Sequence, residues 1–239
     1  MCKSCDQEGY KSSKLYKIRQ SVPHVMAQAV LESVPEAKIT IGPPIKDSFY
    51  YDFDMPKTLG EDDLEKIENR MKEIIREGHE FQRKEVDENE VRKIFATQPY
   101  KIELMEDLLK GGYDENGEKL EPVEAVKLSI YQHAGFTDLC AGPHVNSLKE
   151  INPDAIKILR TAGAYWRGDE GRPMLQRIYG SAFECKKDLD AYLNKLEEAK
   201  KRDHRALGKK YDLFSSNDTV GQGLVLWHPK GATMRRLAE

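Results

Sequence analysis

No run of 18 apolar residues occurs in the sequence, and its first fourteen positions are polar with scattered charge. Both features argue against a helical membrane span and a secretory signal, so the cytoplasm is the expected compartment. Cysteine is scarce. Cys2, Cys5, Cys140 and Cys185 are too few and too unevenly placed for a disulfide framework, which leaves reduced thiols. Neither sign of charge dominates: 38 basic residues against 41 acidic ones leave a formal charge of −3, so the chain is no polycation that coats nucleic acid. Any RNA contact must come from a local patch. Internal repeats and low-complexity tracts are also missing, which argues against a solenoid and for a continuous globular unit. What remains, at 239 residues with 39% hydrophobic and 33% charged positions, is enough for one large domain or two modest ones.

From Tyr16 to Val34, apolar residues recur at helical spacing and predict an amphipathic helix, with Pro23 either bending it or marking its start near Ser21. Lys38 to Ile41 and Phe49 to Phe53 read as strands about a Gly42-Pro43-Pro44 turn. Thr58 to Glu61 suggests a capping box before a helix whose stripe is Leu64, Ile67, Met71 and Ile74, ended by Gly78. Phe81 to Val86 reads as a strand, and Glu88 to Thr97 as a short helix stopped before Pro99. Residues 110 to 122 read as an exposed loop. Val126 to Leu139, Ala155 to Leu159 and Arg172 to Tyr179 are strand candidates, the last closed by Gly180. With no βαβ rhythm, the expected class is α+β with mostly antiparallel pairing.

A helix is expected over 185 to 210. Between 195 and 210 it carries seven cations against Glu197, Glu198 and Asp203. Such a run is either a solvated helix face or a contact for an RNA backbone, with Lys200, Lys201, Arg202 and Arg205 as the candidate residues. The implied organisation is a mobile lead at 1–14, a domain at 15–184, a linker helix at 185–212 and the opening of a further domain at 213–239.

The densest chemical constellation is Asp138-Leu-Cys140-Ala-Gly-Pro-His144. A thiol and an imidazole four positions apart can ligate a metal or act as nucleophile and base, but Gly142-Pro143 places them on a turn rather than a helix. Asp138 would share a strand face with Cys140. The same residues also suit a packed thiol and a loop histidine. His24 lies on the first helix with Gln20 one turn earlier and Gln28 one turn later. Cys2-x-x-Cys5 has no second pair and is not read as a metal site. His79, His133, His204 and His228 read as surface or structural.

Three segments carry a resemblance: Phe136 to Val145 (FTDLCAGPHV), Thr161 to Asp169 (TAGAYWRGD) and Gln176 to Gly180 (QRIYG). Together they resemble the editing domain of bacterial threonyl-tRNA synthetases. The likeness extends upstream through His24 to Val30 and downstream through Lys201 to Arg205 and Asp212 to Phe214. Gly223 to Glu239 resembles the opening of that family's class II catalytic domain, and the family's ubiquitin-like first domain is expected to be absent.

The resemblance implies an α+β editing fold that hydrolyses the ester of serine mischarged onto threonine tRNA, the partner. A synthetic site for threonine discriminates against a missing methyl by only about 1 to 3 kcal/mol, so a second site must correct the product. ATP, Mg, Zn and threonylation would belong to the catalytic domain, so this polypeptide alone should not aminoacylate; the full-length family is a homodimer. The family's pocket residues map onto His24, Lys101, Asp138, Cys140, His144 and Tyr51, with no metal required. The alternative is zinc on His24, Cys140 and His144. Three positions depart from the pattern. Gln20 stands for a histidine, Pro23 for an alanine and Ala141 for an arginine. Glutamine can orient water but cannot accept a proton near neutral pH, so the alternative reading is a tRNA-binding segment whose editing has decayed.

Overall fold

The computed structural model describes residues 10, 12–110, 127–216, 221 and 223–238. The Cys2/Cys5 pair, most of the 1–14 lead and most of the 110–122 loop lie outside them. The chain divides into two compact units, Met1–Leu189 and Asp190–Glu239.

The first unit is built around one helix. Helix α1 spans Lys14–Ser33, and Ser13 caps it by accepting the Tyr16 N–H. It therefore begins well before Ser21 and continues through Pro23, which offers no N–H to the carbonyl one turn back. The amphipathic expectation also changes: Ile18 to Val30 is buried without interruption. A helix hidden on every side is a core element, and polar groups on it need internal partners.

One side of α1 meets an antiparallel sheet in the order β1 (Lys38–Ile39), β3 (Ser48–Asp54), β8 (Met174–Ala182), β7 (Ile156–Tyr165), with β2 (Pro44–Ile45) also on β3. Residues 38–45 run beside β3 almost continuously, because Thr40 donates to Asp52 and Tyr50 to Pro43 between the two short strands. Gly42 is required there, since a Cβ on it would stand 2.2 Å from Cδ2 of Tyr51. Both long strands start slightly later than expected and run past their expected ends, to Tyr165 and Ala182. β8 passes through Gly180, where the Phe49 ring occupies the side-chain space.

Helix α2 (Glu61–Glu77) packs on α1 through Ile67, Met71, Ile74 and Ile75, and ends at Gly78 with φ 72°. Its cap is Gly60, whose N–H is accepted by Asp63, rather than Thr58. A second sheet, β4 (Gln82–Val86), β5 (Leu128–His133) and β6 (Phe136–Leu139), is again antiparallel. The single strand expected over 126–139 is a hairpin turning at Ala134 and Gly135, both at positive φ. Helix α3 (Glu88–Ile94) ends short of Thr97, and Pro99 starts helix α4 (Pro99–Leu109), because proline suits the first helical turn as well as it blocks the interior. Leu104 and Met105 of α4 join Val86, Val91, Leu128, Ile130 and Leu139 in a second core.

The helix expected over 185–210 is broken. Helix α5 (Lys186–Lys201) stops, Asp203 caps, and helix α6 (His204–Tyr211) follows. In the second unit β9 (Phe214–Ser216) pairs with β10 (Val225–Trp227) ahead of helix α7 (Pro229–Ala238). His228 links the pieces, hydrogen-bonded to Asp212 at 2.7 Å and Ser215 at 2.9 Å.

Candidate hydrolytic site

Three elements converge on α1. The helix presents Gln20 and His24 one turn apart, so both face the same way. β6 delivers Asp138, and the chain leaving it places Cys140 ahead of a turn through Gly142 (φ 79°) and a cis Gly142–Pro143 bond to His144. Helix α4 brings Lys101. The Ile41-Gly42-Pro43 segment closes the rim. Together Gln20, His24, Lys101, Asp138 and Cys140 line a cavity with about 10 Å³ of free space, room for roughly one water. Tyr51 and His144 do not line it but contact two residues that do, Asp138 and Cys140.

Asp138 is the electrostatic centre. One carboxylate oxygen pairs with Lys101 and accepts the Leu139 N–H at 2.8 Å; the other accepts Tyr51 O–H at 2.7 Å. Both Lys101 and Asp138 are about 2% exposed, so neither charge has water to fall back on. His24 Nδ1 lies 3.6 Å from the same carboxylate, beyond hydrogen-bond length, and among the described residues it has no hydrogen-bond partner. Burial, then the Lys101 charge and then His133, hold its pKa well below the ordinary histidine value. His24 is thus a neutral imidazole with an uncommitted nitrogen.

His144 and Cys140 form a second pair. The Ser21 hydroxyl donates to the Lys17 carbonyl at 2.8 Å, so its oxygen is left to accept from Val145 N–H and from His144 Nδ1, each at 3.1 Å. The proton of neutral His144 therefore sits on Nδ1, and Nε2 presents a lone pair to Cys140 Sγ at 3.2 Å. Burial, then His24, depresses the His144 pKa strongly. Sγ also accepts from Gln20 Nε2 at 3.4 Å and from the Gly142 N–H at 3.3 Å. Ser21 escaped sequence reasoning, because only the folded turn brings 144 to it. So did Phe81, whose ring stacks on His144 at 5.1 Å and on His133 at 4.5 Å. His133, read as surface or structural, is buried among these rings, with its pKa lowered by burial to about 4.

Lys200, Lys201, Arg202 and Arg205 belong to the second unit. They are exposed and locally paired, Lys200 with Glu197 at 3.2 Å, Lys201 with Glu198 at 3.0 Å, and Arg205 with Asp203 at 3.1 Å.

Comparison with known proteins gives this geometry a context. Residues 128–179, from β5 into β8, match the family described as "Threonyl and Alanyl tRNA synthetase second additional domain". The threonine–tRNA ligase of Dehalococcoides mccartyi (strain BAV1) is 51% identical over 227 residues, 95% of this chain and 36% of the relative. That of Borreliella burgdorferi (strain ZS7) is 48% identical over 239 residues, all of this chain and 38% of the relative. The chain is similar to part of a threonine–tRNA ligase. It spans a little over a third of the length of these ligases. The matched stretch holds Asp138, Cys140 and His144, and the antiparallel α+β architecture agrees with the editing-domain fold expected from the motifs.

His24, Cys140 and His144 each offer a ligand atom, all within 4.8 Å of one another and all buried. Two nitrogens and a sulfur are a donor set that zinc accepts, with ligand atoms about 3.4 Å apart around a tetrahedral ion. The residues are therefore compatible with that ion, which would have to draw the widest pair closer, whereas Cys140 and His144 already stand at hydrogen-bond distance.

Proposed function

We propose that the chain is the editing portion of a threonine–tRNA ligase and hydrolyses the ester of serine mischarged onto threonine tRNA. The observation carrying this reading is that His24 and Lys101, from two separate helices, share one cavity wall with Asp138 and Cys140. In this reading the cavity widens at the Ile41–Pro43 rim to admit the aminoacyl end. His24, neutral and with a free nitrogen, takes a proton from the attacking water. The Lys101 ammonium, held by Asp138, stabilises negative charge on the ester carbonyl oxygen. Gln20 and the His144–Cys140 pair orient water and ester. Exclusion of threonine rests on a cavity with no space for another methyl, since overpacking costs about 1 to 3 kcal/mol.

The ligation reaction, with ATP, Mg and Zn, is assigned to the part of such ligases that this chain does not cover. Homodimerisation and a cytoplasmic location are proposed on the same basis. Zinc bound by His24, Cys140 and His144 would supply an activated water. Metal analysis of protein purified without chelator, paired with activity after chelation, decides whether it contributes.

The test is single-turnover hydrolysis of seryl- and threonyl-tRNA. Loss of the seryl ester with retention of the threonyl ester supports editing. Binding without turnover supports the tRNA-binding segment with decayed editing, which Gln20 favours because an amide cannot relay a proton. Gln20→His should then raise the seryl rate by about 100-fold, the lower end of what acid–base assistance contributes. An unchanged rate would show that Gln20 does not limit the reaction.

A further inference from the structure

The motif Tyr165-Trp166-Arg167-Gly168-Asp169 belongs to the matched region, yet none of its side chains lines the cavity. It forms the tip between β7 and β8, and it is strained: Arg167 has φ 57°, a conformation that side chains other than glycine's seldom adopt. What the strained tip holds is helix α4. Helical spacing puts Tyr100, Glu103 and Asp107 on one face of α4 and Lys101, Leu104 and Met105 on another. Every member of the first face meets the tip. Glu103 accepts Trp166 Nε1 at 3.1 Å and Arg172 at 2.5 Å, Asp107 pairs with Arg167, and the Tyr100 ring packs edge-on to Trp166 at 5.2 Å. Ile41, a rim residue of the cavity, packs against the same Tyr100–Trp166–Leu175 cluster. Burial tends to raise the Glu103 carboxyl, and the bonds from Arg172 and Trp166 outweigh it, so this clasp is ionised.

We infer that Glu103, Trp166 and Arg172 are positioning residues, a clasp that sets α4 so that Lys101 reaches Asp138 and Ile41 closes the rim. The inference rests on the proposed editing reaction for its consequence, but the clasp itself can be tested apart from it. Without the clasp, α4 keeps its apolar contacts and its fold, while the register of Lys101 along the cavity wall becomes free.

The variants are Glu103→Gln and Arg172→Gln, with Arg172→Lys as the charge-conserving rescue. The first readout is acylation of Lys101 by acetic anhydride, followed by mass spectrometry. In the wild type this buried, paired amine should be protected. Both Gln variants should raise its labelling at least threefold, and Arg172→Lys should restore most of the protection. A core variant in α2, Ile75→Val, chosen for a similar loss in Tm, should leave Lys101 protected, which separates positioning from general destabilisation. The second readout is deacylation of seryl-tRNA, where the single-turnover rate should fall about tenfold with little change in the concentration for half-saturation. Lys101 labelling that is unchanged in both Gln variants, or equally raised in Ile75→Val, overturns the clasp. A wild type that does not deacylate overturns the editing reading and leaves the labelling result standing.

Discussion

Two lysine–carboxylate pairs in this molecule have the same chemistry and opposite circumstances. Lys101 and Asp138 are each about 2% exposed, whereas Lys200 and Glu197 are 77% and 61% exposed. The exposed pair is solvated whether or not it forms, so its contribution is small and screened by salt. The buried pair is obligatory, because either partner alone would be an uncompensated charge in a dry site. This contrast separates the cavity from the basic helices.

Breaking the buried pair should give the largest effect. Among the described residues Lys101→Met leaves Asp138 with the Tyr51 and Leu139 hydrogen bonds and no charged partner beside the neutral His24, and urea unfolding should show a loss of about 3 to 5 kcal/mol. Removing both charges, with Lys101→Met and Asp138→Leu together, should recover most of that loss while deacylation stays abolished. A double variant no more stable than the single one would show that the pair itself is not the source of the cost.

Acid should act next, through the same burial. Unfolded histidine binds a proton near 6.5 but folded His133 only near 4, and His24 and His144 are depressed as well. The unfolded chain therefore takes up protons that the folded chain refuses. Stability should be full above pH 6.5 and decline as pH falls towards 4, with His133 contributing about 3 kcal/mol of that decline. Urea midpoints measured from pH 7.5 to 4 check this, and His133→Phe should flatten the curve.

Ser21→Ala is a smaller probe. It removes the acceptor for His144 Nδ1–H and Val145 N–H, at about 1 to 3 kcal/mol, and frees the imidazole tautomer, so the seryl rate should fall more than stability alone explains. Lys200→Ala should do least, moving Tm by less than about 3 °C. If Lys200 touches tRNA, the same change should reduce the salt dependence of tRNA binding.

The class of fold and much of the site were legible because they depend on local signals. Alternation marked the strands, Gly78 marked a helix end, and the Asp138-to-His144 motif with His24 pointed to the cavity. The errors have two physical causes: buried tertiary contacts that the sequence does not display, and helix-start residues whose local role depends on which side of them the helix lies. Pro23 is tolerated inside α1 because the helix is buried among partners from Ile18 to Val30. Pro99 looked like a stop but opens α4, so the helix carrying Lys101 went unrecognised. Asp203 looked like one more charge in a run but caps a new helix. Ser21 and Phe81 gave no signal, since their roles exist only after residues far apart in sequence meet.

The most direct measurement is single-turnover hydrolysis of seryl-tRNA by three proteins side by side: wild type, Lys101→Met and Lys200→Ala, each at a temperature where all are folded. A buried hydrolytic site predicts turnover in the wild type, loss of at least about 100-fold in Lys101→Met, and a rate within about twofold of wild type in Lys200→Ala at saturating protein. Equal rates in the wild type and Lys101→Met would contradict it.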